Sequence, residues 1–309
     1  MTPRVSVVVP AYNSVAFIDA TMRSILAQTF TDFELLISDH TSTDGTWEAL
    51  QRFTADPRVR LSRLPSGGGA PANWNAVTEL ATGDFIKLVC GDDLLYPDSL
   101  AVQTAALVAH PSATLVASTR DIVDAAGIPV LRDRGLCGLR GEVTGKEAIR
   151  RSVRAGTNIF GEPASVMFRR ADLGDAGGWD GRFPYLIDHA TYCAVLLGGN
   201  LVAVPGPLAG FRVSHSQWSV RLMRAQAEHA IAFRRELAAT HPGLLGRGDL
   251  LVGNARAKMN ALARRAVYRW LSRRMCHEAA DRRQAGADEA DVGVAVGEDP
   301  MARPSGRLT

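Results

Sequence analysis

No CxxC pair occurs among the four cysteines (Cys90, Cys137, Cys193 and Cys276), and their wide spacing offers neither a disulfide framework nor a zinc site. Reduced thiols in a cytoplasmic protein are the expectation. Charge of one sign is also scarce: a formal net charge of +3 over 309 residues is too small to imply a nucleic-acid partner. The N-terminus lacks a signal-peptide core, because its only apolar run is Val5 to Val9. One uncharged stretch, Tyr192 to Phe211, has about the length of a membrane span. Gly198-Gly199-Asn200 and Pro205-Gly206-Pro207 interrupt it, which predicts helix end, turn, short strand and turn in a soluble protein. Missing too is a GxGxxG after the first strand, which disfavours an NAD-dependent oxidoreductase. Pro10-Ala11-Tyr12-Asn13 stands there instead of the glycine-rich basic loop that a sugar nucleotidyltransferase needs.

What is present is ordinary for a globular chain with a sizeable core: 46% apolar and 22% charged residues. Val5 to Val9 reads as a strand buried in a parallel sheet. Asn13 or Ser14 caps a predicted helix carrying Phe17, Ile18, Met22, Ile25 and Leu26. Phe33 to Ser38 is a second strand, ending at Asp39, and the turn residues His40 to Thr46 lead into a helix with Trp47, Leu50 and Phe53. A third strand (Val59 to Leu64), a glycine loop (Ser66 to Pro71) and a helix over about 72–81 follow. The fourth strand, Phe85 to Val89, runs straight into Asp92-Asp93, and Pro97 opens a helical pattern from Asp98 to Ala109. This alternation predicts an α/β fold with a mostly parallel sheet covered by helices on both faces. Ligands collect at the carboxyl ends of such strands, where Asp39 and Asp92 would share one edge. The residues alone leave two readings of Asp92 and Asp93: oxygen ligands for a divalent cation, or caps of the following segment.

After residue 110 the pattern changes. Thr114 to Thr119 reads as a strand, Asp121 to Val130 as a hairpin, and Arg132 to Arg140 as a basic loop. Thr144-Gly145-Lys146-Glu147 is a capping box opening a helix to Arg154. Ala164 to Phe168 is a further strand. Tyr185-Leu186-Ile187-Asp188-His189 heads a helix with Tyr192, Val195 and Leu196 on its apolar face; Asp188 there is either an N-cap or a functional acid favoured by the helix dipole. Between Arg212 and Arg283 stand fifteen Lys/Arg against five Asp/Glu, largely on helical patterns. A solvated helix face and an interfacial helix touching anionic lipid both fit that excess. In particular, Arg264, Arg265, Arg269, Arg273 and Arg274 are interleaved with Leu262, Val267, Trp270 and Leu271. Residues 284–309 are small and polar, the composition of a disordered tail.

Val7-Val8-Val9-Pro10-Ala11-Tyr12-Asn13, Ser38 to Thr46, Asn73-Trp74-Asn75 and Gly83 to Pro97 together resemble family 2 glycosyltransferases of the GT-A fold. The match runs in order over about the first 100 residues, and later motifs extend it to about residue 220. The resemblance implies a GT-A domain over 1–220, divided into a nucleotide-binding half (1–110) and an acceptor-binding half (111–220). A basic helical extension (221–283) and the tail would follow. It implies an inverting transfer from a UDP-, dTDP- or GDP-sugar to a sugar or lipid-linked acceptor in polysaccharide or glycolipid assembly, with Mn²⁺ or Mg²⁺. Peripheral contact with the inner face of the membrane would suit such an acceptor. By resemblance, Pro10, Ala11, Tyr12, Asn13, Asp39, Asn73, Asn75, Asp92, Arg212 and His215 would bind the nucleotide sugar, and Asp92 and Asp93 the metal. Asp188 would be the general base, with Glu162, Trp179, Asp180 and His189 towards the acceptor, and Trp218 would cover the sugar or simply pack. His189 is a weaker base candidate, because adjacent helix residues point about 100° apart.

Three positions depart from the family pattern. Cys90 replaces the first acid of the metal motif, Asp39 is the only acid before Ser42-Thr43-Asp44, and Ile187 replaces an acid beside Asp188. A weakened enzyme retained as a nucleotide-sugar-binding protein is therefore the main alternative, and a sugar nucleotidyltransferase the second.

Overall fold

Val5–Ala11 forms β1 and is buried along its whole length, as a β-branched run with no polar alternation demands. The computed structural model describes residues 3–213 and 226–263. After β1 come α1 (Ile18–Leu26), β2 (Phe33–Asp39), α2 (Thr46–Gln51), β3 (Val59–Arg63), α3 (Gly69–Glu79) and β4 (Phe85–Leu88). These four strands are parallel, in the order β3-β2-β1-β4. Their register pairs Ala11 with Asp39 and Val8 with Leu88, so the turns after β1, β2 and β4 open on one edge. Val5, Val7 and Val9 cluster with Ile18, Met22 and Leu50, whereas Val8 clusters with Val77. Alternate side chains of β1 thus feed two cores, one beneath each layer of helices.

The second half adds β5 (Leu94–Leu95), α4 (Ser99–Ala109), β6 (Ala113–Val123), β7 (Pro129–Arg134), β8 (Gly141–Val143) and α5 (Gly145–Ala155). It continues with β9 (Val166–Arg169), α6 (Arg170–Asp175), α7 (Ile187–Gly198) and β10 (Asn200–Arg212). The resulting sheet is mixed: β9 runs antiparallel between β4 and β6, and β10 runs parallel to β6. The reversed strand positions the site. Because Ile86 pairs with Phe168 in antiparallel register, β9 begins where β4 ends. The segment leading into β9, including Glu162, is therefore delivered to the edge that carries Asp92.

Several local expectations need correcting. Arg132 to Arg134 are strand rather than loop: they extend β7 along β6 with their side chains exposed, so no apolar alternation signals them. Pro205-Gly206-Pro207 does not end the strand it interrupts. It sits inside β10 as a register shift, with Gly206 at φ 104°, which accommodates prolines lacking an N–H. Neither Asn13 nor Ser14 caps α1, which starts at Ile18. Thr144 caps α5 as expected, its hydroxyl accepting from the Glu147 N–H at 3.4 Å, while the Glu147 carboxylate accepts from Arg151 Nε at 3.1 Å.

Two compact units are distinguished, Met1–Ala261 and Leu262–Thr309. The first includes α8 (Gln226–Thr240) and most of a helix over 247–263, here α9. Phe233, Leu237 and Ala257 join the core formed with α5 and α7. α9 lies so close to α5 that a Cβ on Gly253 would stand 2.3 Å from the Val153 carbonyl oxygen. No described helix is long and apolar enough to cross a membrane. The basic stretch from Arg264 to Arg274 and the tail over 284–309 lie outside the described residues.

Asp249 fastens α9 to α5. Its buried carboxylate accepts from Arg150 Nε and Arg154 Nη1, each at 2.8 Å, and from the Gly246 N–H at 3.0 Å. Burial opposes ionisation, but these donors outweigh it and hold the carboxyl at about 2, below the ordinary 3.8. A depressed pKa gives stability that is present above the unfolded value and lost as pH falls through the folded one. Asp249→Asn should therefore cost on the order of 1 kcal/mol at neutral pH, modest because both guanidiniums are half-exposed. In urea melts the gap from the unmutated protein should close as pH drops from about 4 towards 2; a gap unchanged across that window would refute the assignment.

Candidate active site

The loops after β1 and β2 are laced together by the side chains that His40 to Thr46 supply. Asn13, at φ 45°, donates its N–H to Ser42 Oγ (3.0 Å) and accepts from the Thr43 N–H (2.9 Å). The Ser14 N–H reaches Thr46 Oγ1 at 2.8 Å, and the Val15 N–H reaches Asp44 Oδ2 at 3.0 Å. Beneath this lacing Asp39 is fully buried: Oδ2 accepts from the Ser42 N–H at 3.1 Å and faces Arg63 Nε at 3.3 Å. Asn73 reaches from α3 to donate through Nδ2 to the Ala11 and Ser38 carbonyls (3.2 and 3.3 Å). Pro10 and Ala11 are buried at the end of β1, and Tyr12 stands exposed beside the His40 ring. The structure thus brings Pro10, Ala11, Tyr12, Asn13, Asp39 and Asn73 to one edge. Asn75 is used differently, pinning α3 to the backbone of Trp179 through both ends of its amide.

The acidic loop turns through the Asp93 N–H, which donates to the Cys90 carbonyl at 3.1 Å. Asp93 points inward, accepting the Arg212 N–H at 3.1 Å; burial and the neighbouring Asp92 carboxylate push its carboxyl well up. Asp92 is half-buried, and its carbonyl accepts from Arg212 Nε at 2.7 Å. Arg212 also donates to the Asp124 and Ala125 carbonyls and stacks over Phe17, clamping the loop to the turn between β6 and β7. Beside them the Cys90 thiol is pushed well up, first by burial and then by the carboxylates of Asp93, Asp92, Asp188 and Glu162. Four acids from three separate segments therefore surround one neutral sulfur.

Asp188 occupies the first turn of α7. Its Oδ1 accepts from the His189 N–H at 2.7 Å and its Oδ2 from Asn158 Nδ2 at 2.8 Å. Burial and the Glu162 carboxylate push its carboxyl up to about 7, against the opposing pull of the His189 N–H, Asn158 and Arg120. Glu162 is gripped by Arg120 at 2.5 and 3.0 Å. Tyr192, one turn beyond Asp188, buries its hydroxyl with no hydrogen-bond partner among the described residues. Arg120, Asn158 and Tyr192 carry no functional prediction from sequence. Arg120 had a readable signal, an arginine inside the apolar strand Ala113–Val123, whereas Tyr192 passes for a core residue on an amphipathic helix.

Of the residues expected to face an acceptor, only Glu162 joins this cluster. Trp179 is buried edge-on to Trp74 and Phe168, with its indole N–H bonded to Thr78 Oγ1. Asp180 engages Arg182 with both oxygens. His189 turns into the core, 2.7 Å from Ser152 Oγ and against Phe160 and Phe233. His215 and Trp218 lie outside the described residues.

Among the described residues no three His, Cys, Asp or Glu side chains form a self-contained metal site. The donor set nonetheless fits a hard cation shared with a ligand's phosphates, which needs only one or two carboxylates from the protein. Asp92 supplies an accessible one, in a cluster where four carboxylates face the guanidiniums of Arg120 and Arg212.

A parallel N-terminal half, a reversed strand that returns to the same edge, and an acidic loop between them define a glycosyltransferase of the GT-A fold. Residues 6–175 match the model of Glycosyl transferase family 2, and the chain belongs to that family. It is 31% identical over 228 residues to the uncharacterized protein MT1568 of Mycobacterium tuberculosis, spanning 72% of this chain and 70% of that one. The poly(ribitol-phosphate) beta-N-acetylglucosaminyltransferase TarS of Staphylococcus aureus is 30% identical over 127 residues, which span 40% of this chain but only 22% of TarS. In fold, TarS 1-349 in complex with UDP-GlcNAc aligns with a TM-score of 0.62 at 20% identity, covering 77% of this chain and 66% of that one. The mannosyltransferase PcManGT of Pyrobaculum calidifontis, in complex with GDP-Man and Mn²⁺, aligns with a TM-score of 0.60 at 19% identity, covering 91% and 80%.

The Asp188 environment can be read directly. Its carboxyl carbon, followed by NMR, should titrate with a midpoint near 7. Glu162→Gln removes a negative neighbour and releases Arg120, so the midpoint should move down. A midpoint at the ordinary carboxylate value in the unmutated protein would contradict this geometry.

Proposed function

We propose that the protein is an inverting glycosyltransferase that moves a sugar from a nucleotide-diphosphate sugar to an acceptor hydroxyl in cell-envelope polysaccharide or glycolipid assembly. The observation that carries this reading is Asp188, held beside Glu162 and the acidic loop with its carboxyl tuned to about 7. A sugar hydroxyl is a poor nucleophile, and a base with a pKa near the working pH removes its proton most effectively. Asn158 and the His189 N–H orient the Asp188 carboxylate, and Arg120 restrains Glu162 from repelling it further. The edge formed by Tyr12, Asp39 and Asn73 receives the nucleotide, so the diphosphate extends towards Asp92. Mn²⁺ or Mg²⁺ would be held by Asp92, with Asp93 behind it; when bound, the ion neutralises charge gathering on the leaving diphosphate. Attack opposite the leaving group inverts the anomeric centre. The donor complexes named for TarS and PcManGT support a nucleotide-sugar donor, and the name of TarS supports a cell-wall polymer as the destination.

The Cys90 substitution favours one competing reading, a binding protein without turnover, and a single variant separates the two. Asp188→Asn should lower transfer by roughly 10²–10⁴-fold while leaving donor binding near normal. In the unmutated enzyme kcat/KM should rise with pH through about 7, since the base must be ionised. Full turnover by the variant would remove Asp188 from the mechanism, and no donor hydrolysis or transfer by either protein, with or without Mn²⁺, would favour the binding protein.

Peripheral attachment at the cytoplasmic face of the membrane belongs to the same proposal. It rests on the basic excess after Arg212 and on exposed Leu251 and Met259, which share α9 with Arg247 and Lys258. The protein should sediment with anionic vesicles at low salt and be released by high salt; protein left in the supernatant at low salt rules the attachment out.

A further inference from the structure

We propose that the base pocket at the carboxyl edge of β1 and β2 selects guanine, making the donor a GDP-sugar, with Asn73 and His40 as selecting residues alongside Asp39. The inference rests on the nucleotide-sugar reading above and narrows it.

Three polar atoms at this edge are buried without a partner among the described residues: Asp39 Oδ1, Asn73 Oδ1 and His40 Nε2. Their residues are 0%, 2% and 7% exposed, so leaving these atoms unmet is costly. All three residues gather round one backbone group. Asp39 pairs with Ala11 in the β1–β2 register, Asn73 Nδ2 donates to the Ala11 carbonyl, and so does the His40 N–H at 2.9 Å. The amide orientation of Asn73 is fixed by its surroundings, because Nδ2 faces two carbonyls and the reverse orientation would set oxygen against oxygen. Its Oδ1 is therefore an acceptor, as is Asp39 Oδ1. Only His40 Nε2 can serve as a donor, in the tautomer that carries a proton there.

Two acceptors and one donor is a pattern that the common bases meet unequally. Uracil and thymine present one N–H between two carbonyls. Either would satisfy one acceptor and leave the other unmet or facing a carbonyl oxygen. Guanine presents N1–H and the N2 amino group side by side, with O6 next to them, so two donors meet the two acceptors and O6 meets His40. Tyr12, 58% exposed and with its ring 6.0 Å from that of His40, offers a face on which a purine can stack. Sites that match polar groups in this way discriminate strongly, because the wrong ligand leaves buried atoms unpaired.

Titration calorimetry of the full chain with GDP, UDP and dTDP, each with Mn²⁺, tests the assignment. GDP should bind at least about tenfold tighter than UDP or dTDP, a conservative expectation for one mismatched buried group. His40→Ala, which keeps the backbone N–H bond to Ala11, should shrink that ratio. Equal or tighter binding of UDP or dTDP overturns the guanine assignment and leaves the glycosyltransferase reading standing. If no nucleoside diphosphate binds, both fall. An undiminished GDP preference in His40→Ala takes His40 out of the selection.

Discussion

Like charges crowded into one partly buried place set the terms for the rest of this molecule. Asp92, Asp93, Glu162 and Asp188 all act on the Cys90 sulfur; Asp92 and Glu162 raise the cost of ionising Asp93, and Glu162 raises that of Asp188. The fold makes the crowding tolerable by giving three of these acids supports of their own. Arg120 takes Glu162, the backbone N–H of Arg212 takes Asp93, and Asn158 with the His189 N–H takes Asp188. Burial and the Glu162 carboxylate, opposed by the His189 N–H, Asn158 and Arg120, leave the Asp188 carboxyl at about 7, the range in which a general base works best.

Holding Glu162 in place draws on the sheet itself. Lys87 lies fully buried in β4, where burial pushes its amine well down, and it donates to Gln103 Oε1 and the Ala164 carbonyl, both at 2.6 Å. Gln103 in turn donates to the Ser165 carbonyl at 2.8 Å. These bonds fix the short turn Pro163–Ser165 directly after Glu162. An amine or amide placed in a core without partners would be expensive, so this polar spine is stable only when the turn sits where it does. The strand that ends in the acidic loop thereby also positions the acid arriving from the opposite direction.

Much of the fold was legible because its signals are local. The β-branched run of β1, the turn residues after Asp39, the Thr144 cap and the breaks at glycine and proline each reflect forces within a few residues. Asp39, Asp92 and Asp188 were legible as strand-end or helix-start acids, and resemblance supplied their roles. Partnership was not legible. Nothing in the sequence pairs Arg120 with Glu162, because 42 residues and an antiparallel strand separate them. Nor does the sequence pair His189 with Ser152 or the Trp179 indole N–H with Thr78, 37 and 101 residues away. Arg212 was expected at a diphosphate, and its guanidinium reaches backbone carbonyls of the acidic loop and of the β6–β7 turn. In each case a distant partner decides what a polar side chain does.

Cys90 illustrates how a departure from a family pattern can be a consequence of the same electrostatics. A carboxylate at that position would be a fifth acid in the cluster, facing the same two guanidiniums. Either its pKa would be pushed up, as that of Asp93 is, or a bound cation would be needed to offset the charge. The thiol avoids the choice, since its neighbours keep it protonated and uncharged. Asp93 is pushed towards its neutral form, Glu162 is paired to Arg120, and Asp188 is pushed up to about 7. The proposed chemistry uses Asp92 towards the diphosphate and Asp188 towards the acceptor hydroxyl. A loop with one acid fewer would hold a free cation more weakly, while Asp188, on a separate segment, keeps its own support from Asn158 and the His189 N–H.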